Sequence, residues 1–299
     1  MHILNAIKEF ENWKKPNTKE ATIYYYDRHL KYFTLFLRDP EYQIEKIKLN
    51  DITLFINLSQ QIGWGDNNVQ EKAVVIRNFF DYYYKQGKKV INPDLIPVPT
   101  VQDKMPRVAD YKSYKLIVKM LEGDKKMQGI RNLAILKMYY DTAIRRNELC
   151  NLNISEMDFN SRSAKIETEK ARRFCYRQIF WSKDTQKSIL DWIEVRKGLL
   201  PLIQEKDALF VCLDGNKFGK RIGKQGINEM MRRLSKKIGI PTLNPHSLRH
   251  LFGKDCAEKN LNNSNISTLM GHTNLNYSLR YTRLYGKELH KQHIKVRAI

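Results

Sequence analysis

Residues 246 to 250 read His246-Ser247-Leu248-Arg249-His250, and Gly271-His272 and Tyr281 follow them. The gaps are 3 residues from His246 to Arg249, 23 from Arg249 to His272 and 9 from His272 to Tyr281. Upstream stands Thr142-Ala143-Ile144-Arg145-Arg146-Asn147-Glu148-Leu149. Together these segments supply arginines, histidines and a phenol. That set suits the breaking of a phosphodiester through a phosphotyrosine.

The chemistry asks for these residue types. A phosphodiester carries one negative charge, and its pentacovalent transition state carries more. Two guanidiniums can clamp the non-bridging oxygens with paired hydrogen bonds, which an ammonium does less well. Donors aimed at developing charge usually give the largest catalytic term. Imidazoles can donate to the same phosphate or move a proton at neutral pH. A phenol, with a pKa of roughly 10, is a weak nucleophile at pH 7 and needs a nearby base or positive charge. The leaving oxygen needs a proton, so a general acid is expected too.

In order and spacing, Arg145, His246-x-x-Arg249, Gly271-His272 and Tyr281 resemble the tyrosine recombinase (phage integrase) family. The closest resemblance is to its small two-domain Xer-type members. The resemblance implies a mainly α fold with a small β-sheet. An N-terminal helical core-binding (SAM-like) domain spans 1–92, a linker 93–106, and a C-terminal α/β catalytic domain with a terminal tail 107–299. It implies that Arg145 and Arg249 are the two clamp arginines. His246 contacts phosphate or transfers a proton, His272 donates to the phosphate, and Tyr281 is the nucleophile. Tyr277 and Tyr285, five and thirteen residues after His272, miss the spacing. The family's general acid is a lysine in a turn between two strands. Lys170 fits, in Glu169-Lys170-Ala171-Arg172-Arg173, with Lys165 as the runner-up within a strand. Glu148, three residues after Arg145, orients the site by resemblance, or is an ordinary helix ion pair on the same helix face. His250 is expected to support the motif structurally. Ala143 stands where the family usually has glycine.

Composition agrees with a polyanionic partner. The 299 residues carry a net charge of +21. Residues 1–100 hold 14 Lys and Arg against 12 Asp and Glu, and the rest hold 39 against 20. The excess therefore lies in the C-terminal part, as expected for a domain that grips DNA. A hydrophobic fraction of 42% allows real cores in two domains. No long apolar run suggests a membrane span, and no signal-peptide core is present. Four cysteines, Cys150, Cys175, Cys212 and Cys256, form no C-x-x-C pair, which argues against zinc or a disulfide framework. Cytoplasmic localisation, no metal and no cofactor are expected.

Outward from the motifs, the first hundred residues read as helices. Asn17-x-x-Glu20 reads as a capping box before Ile23, Leu30, Phe33 and Leu37, with Pro40 as the stop. Asp51 reads as the cap of a helix through Phe55, Leu58 and Ile62. Asn68-x-x-Glu71 opens another, with Val69, Ala73, Ile76, Phe80 and Tyr83 on one face. Lys85, Lys88 and Lys89 are candidates for phosphate contacts. Four prolines between Asn92 and Pro106 mark a linker, which resembles the family's hinge. Tyr111–Leu121 and Ile130–Tyr140 read as amphipathic helices. Ser163–Thr168 and Tyr176–Ser182 alternate like two strands about a basic turn, where Arg172 and Arg173 are further DNA candidates. A helix resumes over Thr185–Arg196. Residues 214–226 read as a loop before a helix Asn228–Ile238. Pro245 suits the first turn of the helix that carries His246 and Arg249.

The reaction implied by the resemblance is conservative site-specific recombination through a 3′-phosphotyrosyl bond and a Holliday junction. The partners implied are double-stranded DNA with paired recombination sites and a homotetramer assembled on it, with room for a partner recombinase or activator. Xer-like dimer resolution is the first reading, and integration or excision of a mobile element is the alternative. A type IB topoisomerase and a catalytically silent DNA-binding regulator are the rivals from other classes.

Overall fold

The computed structural model describes residues 1–102, 107–168, 176–272 and 274–285. The chain divides into two units, Met1–Lys104 and Met105–Ile299.

Among its described residues the first unit holds four α-helices: α1 (Ile3–Lys14), α2 (Glu20–Leu37), α3 (Leu49–Gln61) and α4 (Asp66–Lys85). In α1, Ile3, Ala6, Ile7 and Phe10 recur at helical spacing, and all are buried. This helix precedes the first one assigned from the sequence, which begins at Asn17. Phe10 meets Tyr26, Phe79 and Tyr82 edge to face, and the Tyr83 hydroxyl donates to the Ala6 carbonyl at 2.8 Å.

Three cap assignments differ from expectation. Asn17 closes a 3₁₀ turn, Lys15–Asn17, and α2 starts after an extended Lys19 with no side-chain cap bond. Asp51 is not the cap of α3 but its third residue, where its carboxylate accepts the Lys48 N–H at 2.8 Å. Asn68 lies inside α4 and accepts from the Lys72 ammonium. The inward face of α3 is also rotated. Ile52, Phe55, Ile56 and Ser59 are buried, whereas Leu58 and Ile62 are exposed. The face read for α4 is buried in full, joined by Phe79 and Tyr82. The proline-rich stretch begins with a 3₁₀ turn, Pro93–Leu95. Arg77 then donates to the Ile96 carbonyl at 2.5 Å and Gln70 to that of Pro99 at 2.9 Å, so this stretch lies along α4.

The second unit surrounds α6 (Met127–Thr142), whose central residues Ala134, Ile135, Leu136, Met138 and Tyr139 are all buried. Its neighbours include α5 (Tyr111–Glu122), α8 (Lys183–Lys197) and α10 (Pro245–Glu258). The short α7 (Arg146–Asn151) follows α6 directly. Strands β1 (Met157–Asp158), β2 (Ser163–Glu167) and β3 (Tyr176–Phe180) form an antiparallel sheet in that order. Ala164 faces Ile179 across the ladder and Ile166 faces Arg177. Trp192 of α8 is fully buried and donates to the Leu209 carbonyl at 2.8 Å. Helix α9 (Lys224–Ile238) starts four residues before the position expected from the sequence. Asn244 caps α10, accepting the Ser247 N–H at 2.8 Å, and Pro245 takes the first helical position. Helices α11 (Asn263–Met270) and α12 (Asn276–Tyr285) pack on each other and on α10. The fold is thus mainly α with one small sheet. No helix among the described residues is long and apolar enough to cross a membrane.

One buried group gives the first unit an acid-sensitive point. His29 is 1% exposed and neither ring nitrogen has a hydrogen-bond partner among the described residues. Burial, with Lys72 and Arg28 nearby, pushes its pKa down to about 4 although the Glu71 carboxylate lies 4.0 Å from Nε2. As pH falls below about 6.5 the unfolded chain takes up a proton that the folded chain refuses, so stability drops between there and about 4. Urea titrations across that range should show His29→Leu losing less stability than wild type, by up to about 1.4 kcal/mol per pH unit. Equal slopes would mean that His29 is not held neutral.

Candidate active site

Helix α10 sets the frame. Positions i, i+3, i+4 and i+7 share a helix face, so His246, Arg249, His250 and Gly253 point the same way. Arg249 is only 4% exposed. It donates to the carbonyls of Ala143, just past the end of α6, and Met270, the last residue of α11. Both helices end in a left-handed residue: Ala143 with φ 50° and Gly271 with φ 62°. Glycine reaches that region freely, but alanine enters it at a cost of roughly 1 kcal/mol or more. The glycine-to-alanine departure at 143 therefore keeps the turn rather than reshaping it. Burial, with Arg145 and Arg177 close by, pulls the Arg249 pKa down to about 9, so it stays cationic at neutral pH.

Arg145 is not helical, which corrects the expectation that it shares a helix face with Glu148. It is the extended N-cap of α7, with ψ 151°. Glu148, the third residue of α7, accepts the Arg145 backbone N–H at 2.8 Å and its guanidinium at 2.7 Å. The second guanidinium nitrogen donates to the Gly271 carbonyl. The other carboxylate oxygen accepts Arg177 of β3 at 2.8 Å, and Arg177 also donates to the Leu269 carbonyl at 2.7 Å. Burial raises the Glu148 pKa, but Arg177 and Arg145 outweigh it and hold the group ionised. One carboxylate thus serves two guanidiniums, and Arg249 adds a third. The balance is cationic, as an anion site requires. Gly271 is needed twice here. Its φ is positive, and a Cβ would sit 2.5 Å from Arg177 Cδ.

Tyr281 of α12 is 2% exposed. Its Oη is hydrogen-bonded to Nδ1 of His250. Its ring lies against Gly253, where a Cβ would come within 2.9 Å of Cε1 and Cζ. The His272 ring lies nearly parallel to it, with centroids 6.4 Å apart, and His272 Nδ1 is 2.8 Å from the Ser278 hydroxyl. Burial first, then the neighbouring cations, lowers the pKa of His250 to about 4 and of His272 to about 3. Both are neutral at pH 7. A cavity of 730 Å³ is lined by Arg107, Arg145, His246, Arg249, Arg280 and Tyr281, among others.

Of the residues singled out from sequence, Arg145, Glu148, His246, Arg249, His250, His272 and Tyr281 come together. Lys170, Arg172 and Arg173 lie outside the described residues, as does the tail from 286 onward. Lys165 is on β2 with its ammonium 4.8 Å from the Tyr176 ring. Tyr277 is 56% exposed. In the first unit Lys85, Lys88 and Lys89 are exposed, and Lys85 pairs with Asp81 at 2.8 Å. The sequence reading missed Arg177, Arg107, Arg280 and Gly253. An arginine within a strand pattern was the one visible signal, at Arg177. His250 touches the nucleophile candidate directly, a closer part than the structural one expected. Among the described residues no group of three or more His, Cys, Asp or Glu is placed to hold a metal ion.

Known proteins share this architecture. The model of the Phage integrase family matches residues 108–288. A tyrosine recombinase XerC of Staphylococcus carnosus (strain TM300) is 25% identical over 276 residues, covering 91% of this chain and 90% of that protein. Among solved structures, a Tn1549 transposon integrase in complex with transposon right-end DNA superposes with a TM-score of 0.78 at 18% identity, covering all of both chains. The XerH site-specific recombinase bound to palindromic difH substrate gives 0.74 at 18% identity, covering 93% of this chain and 80% of that one.

Two substitutions test this geometry without reference to activity. Arg177→Met leaves the buried Glu148 half-paired and should destabilise the protein by about 3 kcal/mol or more in urea unfolding. A loss under about 1 kcal/mol would mean that the ion pair is not formed as described. Gly253→Ala should push the Tyr281 ring out of its seat and make it nitratable by tetranitromethane, to which the wild-type ring should be resistant. An unchanged nitration pattern would contradict the contact.

Proposed function

The chain belongs to the phage integrase family, and from that membership we propose that it is a site-specific tyrosine recombinase of the Xer type. One observation carries the assignment of residues: the Tyr281 phenol and the guanidiniums of Arg145 and Arg249 open onto one cavity. A phosphodiester held by both arginines places its phosphorus within reach of Oη. Tyr281 attacks, the bond from phosphorus to the 5′-oxygen breaks, and a 3′-phosphotyrosyl link remains. A 5′-hydroxyl from a partner duplex reverses the step, so bond energy is conserved and no nucleotide cofactor is called for. Arg145 and Arg249 stabilise the charge that develops on the non-bridging oxygens, and His246 and His272 contact the phosphate. Lys170 supplies the proton to the leaving 5′-oxygen. Glu148 positions Arg145.

The substrate is double-stranded DNA bearing paired recombination sites. Lys85, Lys88 and Lys89 on the first unit, with Arg172 and Arg173 beside Lys170, contact backbone phosphates. The working assembly is a homotetramer on two sites, passing through a Holliday junction. Tyr281 is seated against α10 of its own chain, which supports cleavage by each protomer with its own nucleophile. Similarity to XerC over nine-tenths of both chains supports resolution of chromosome or plasmid dimers as the biological role.

Covalent capture tests this reading. Cells expressing the protein are lysed under denaturing conditions without crosslinker, and DNA attached to the protein is sequenced. Wild type should carry DNA from one discrete site, and Tyr281→Phe should carry none. A site near the chromosomal terminus supports dimer resolution, whereas the end of an element points to integration instead. Equal recovery from Tyr281→Phe would overturn the choice of nucleophile.

A further inference from the structure

Cleavage leaves one proton to be assigned, the phenolic proton that Tyr281 loses as Oη bonds to phosphorus. Three imidazoles line the cavity onto which Tyr281 opens. His272 engages Ser278 through Nδ1 and lies parallel to the tyrosine ring. His246 is exposed, with its ring centroid 4.3 Å from that of His250. His250 is hydrogen-bonded to the phenolic oxygen itself.

We propose that His250 is the general base of cleavage: its Nδ1 takes the phenolic proton as the Oη–P bond forms and the bond to the 5′-oxygen breaks, and it returns that proton to Oη on rejoining. The leaving 5′-oxygen is protonated separately, by the general acid. This assignment rests on the recombinase reading above and adds the proton acceptor to it.

The surroundings make the pairing a fixed one. His250 and Gly253 occupy one face of α10, and the absent Cβ at 253 lets the Tyr281 ring settle where its hydroxyl meets Nδ1. His250 is held neutral, with its pKa near 4, by burial first and then by His246, Arg249 and Arg280. A neutral imidazole with its proton on Nε2 has a lone pair on Nδ1, so the phenol O–H donates to it. So weak a base does not ionise a phenol in the empty site. A phosphodiester seated on Arg145 and Arg249 brings one negative charge, and the pentacovalent state brings more. That charge offsets the smaller, cationic part of the suppression of His250, while burial remains, and so strengthens the base as Oη attacks.

The test pairs His250 variants with an acidified phenol. Single-turnover formation of the covalent complex is followed on a nicked suicide duplex carrying the site recovered by covalent capture. His250→Gln and His250→Asn should each slow the reaction by about 100-fold or more when residue 281 is tyrosine. Trifluorotyrosine at position 281, whose phenol ionises far more easily, should shrink that loss to a few-fold. A loss of equal size with both phenols would make His250 a structural support for the ring and overturn the assignment. So would variants that react at the wild-type rate. If wild type itself forms no covalent complex while still binding the duplex, the recombinase reading falls, and this assignment falls with it.

Discussion

The site depends on a carboxylate shared between two guanidiniums. Glu148 is buried, and a buried carboxylate persists as an anion only when its charge is met. Arg145, just before α7, and Arg177 of β3 meet it, and each then reaches on to the C-terminal end of α11, through the Gly271 and Leu269 carbonyls. Three elements distant in sequence are locked by one charged group. Arg249 repeats the device, bridging the ends of α6 and α11. Such pairing fixes guanidinium planes that would otherwise swing on long side chains, so little reorganisation remains when an anion arrives. The uneven count of cations over anions leaves the assembled site net positive.

The turns matter as much as the charges. Ala143 and Gly271 both adopt left-handed backbone, and in each case the residue's own carbonyl is aimed at an arginine. At Gly271 no side chain is tolerated, because Arg177 fills the space. At Ala143 a methyl is tolerated sterically, and the backbone strain is borne by the packing around it. Gly253 is a third exclusion, and the space it leaves is filled by the tyrosine ring. The guanidiniums and the Tyr281 phenol are thus positioned by what two glycines lack.

Much of the site was legible because helix geometry is legible. His246 and Arg249 are three apart after a proline, and any helix starting there must present them together. The order of Arg145, His272 and Tyr281 added what a known family shares. What could not be read lies in tertiary choices. Strand alternation puts Arg177 on the face of Ile179, but nothing local says that Glu148 meets its charge there. His250 shares a face with His246, but only the docking of α12 decides that it meets the phenol. Glu148 read as a helix neighbour of Arg145, yet the helix begins one residue later and the arginine caps it. In the first unit, Asn17 and Asn68 matched cap patterns that the backbone did not use, and α3 was read one face off, with Leu58 and Ile62 outside. Cap motifs are short and compete with packing, which decided both cases.

In the proposed reaction the arginines and the phenol that act on one phosphate belong to one chain. Mixed assemblies measure this directly. Tyr281→Phe protein keeps its clamp and lacks the phenol, while Arg145→Ala protein keeps the phenol and loses half the clamp. Mixed on a duplex carrying the recovered site, the two should form no more covalent complex than either forms alone. Covalent DNA appearing on the Arg145→Ala chain only after mixing would show a phenol working in a neighbour's clamp, and would contradict the seating of Tyr281 against its own α10.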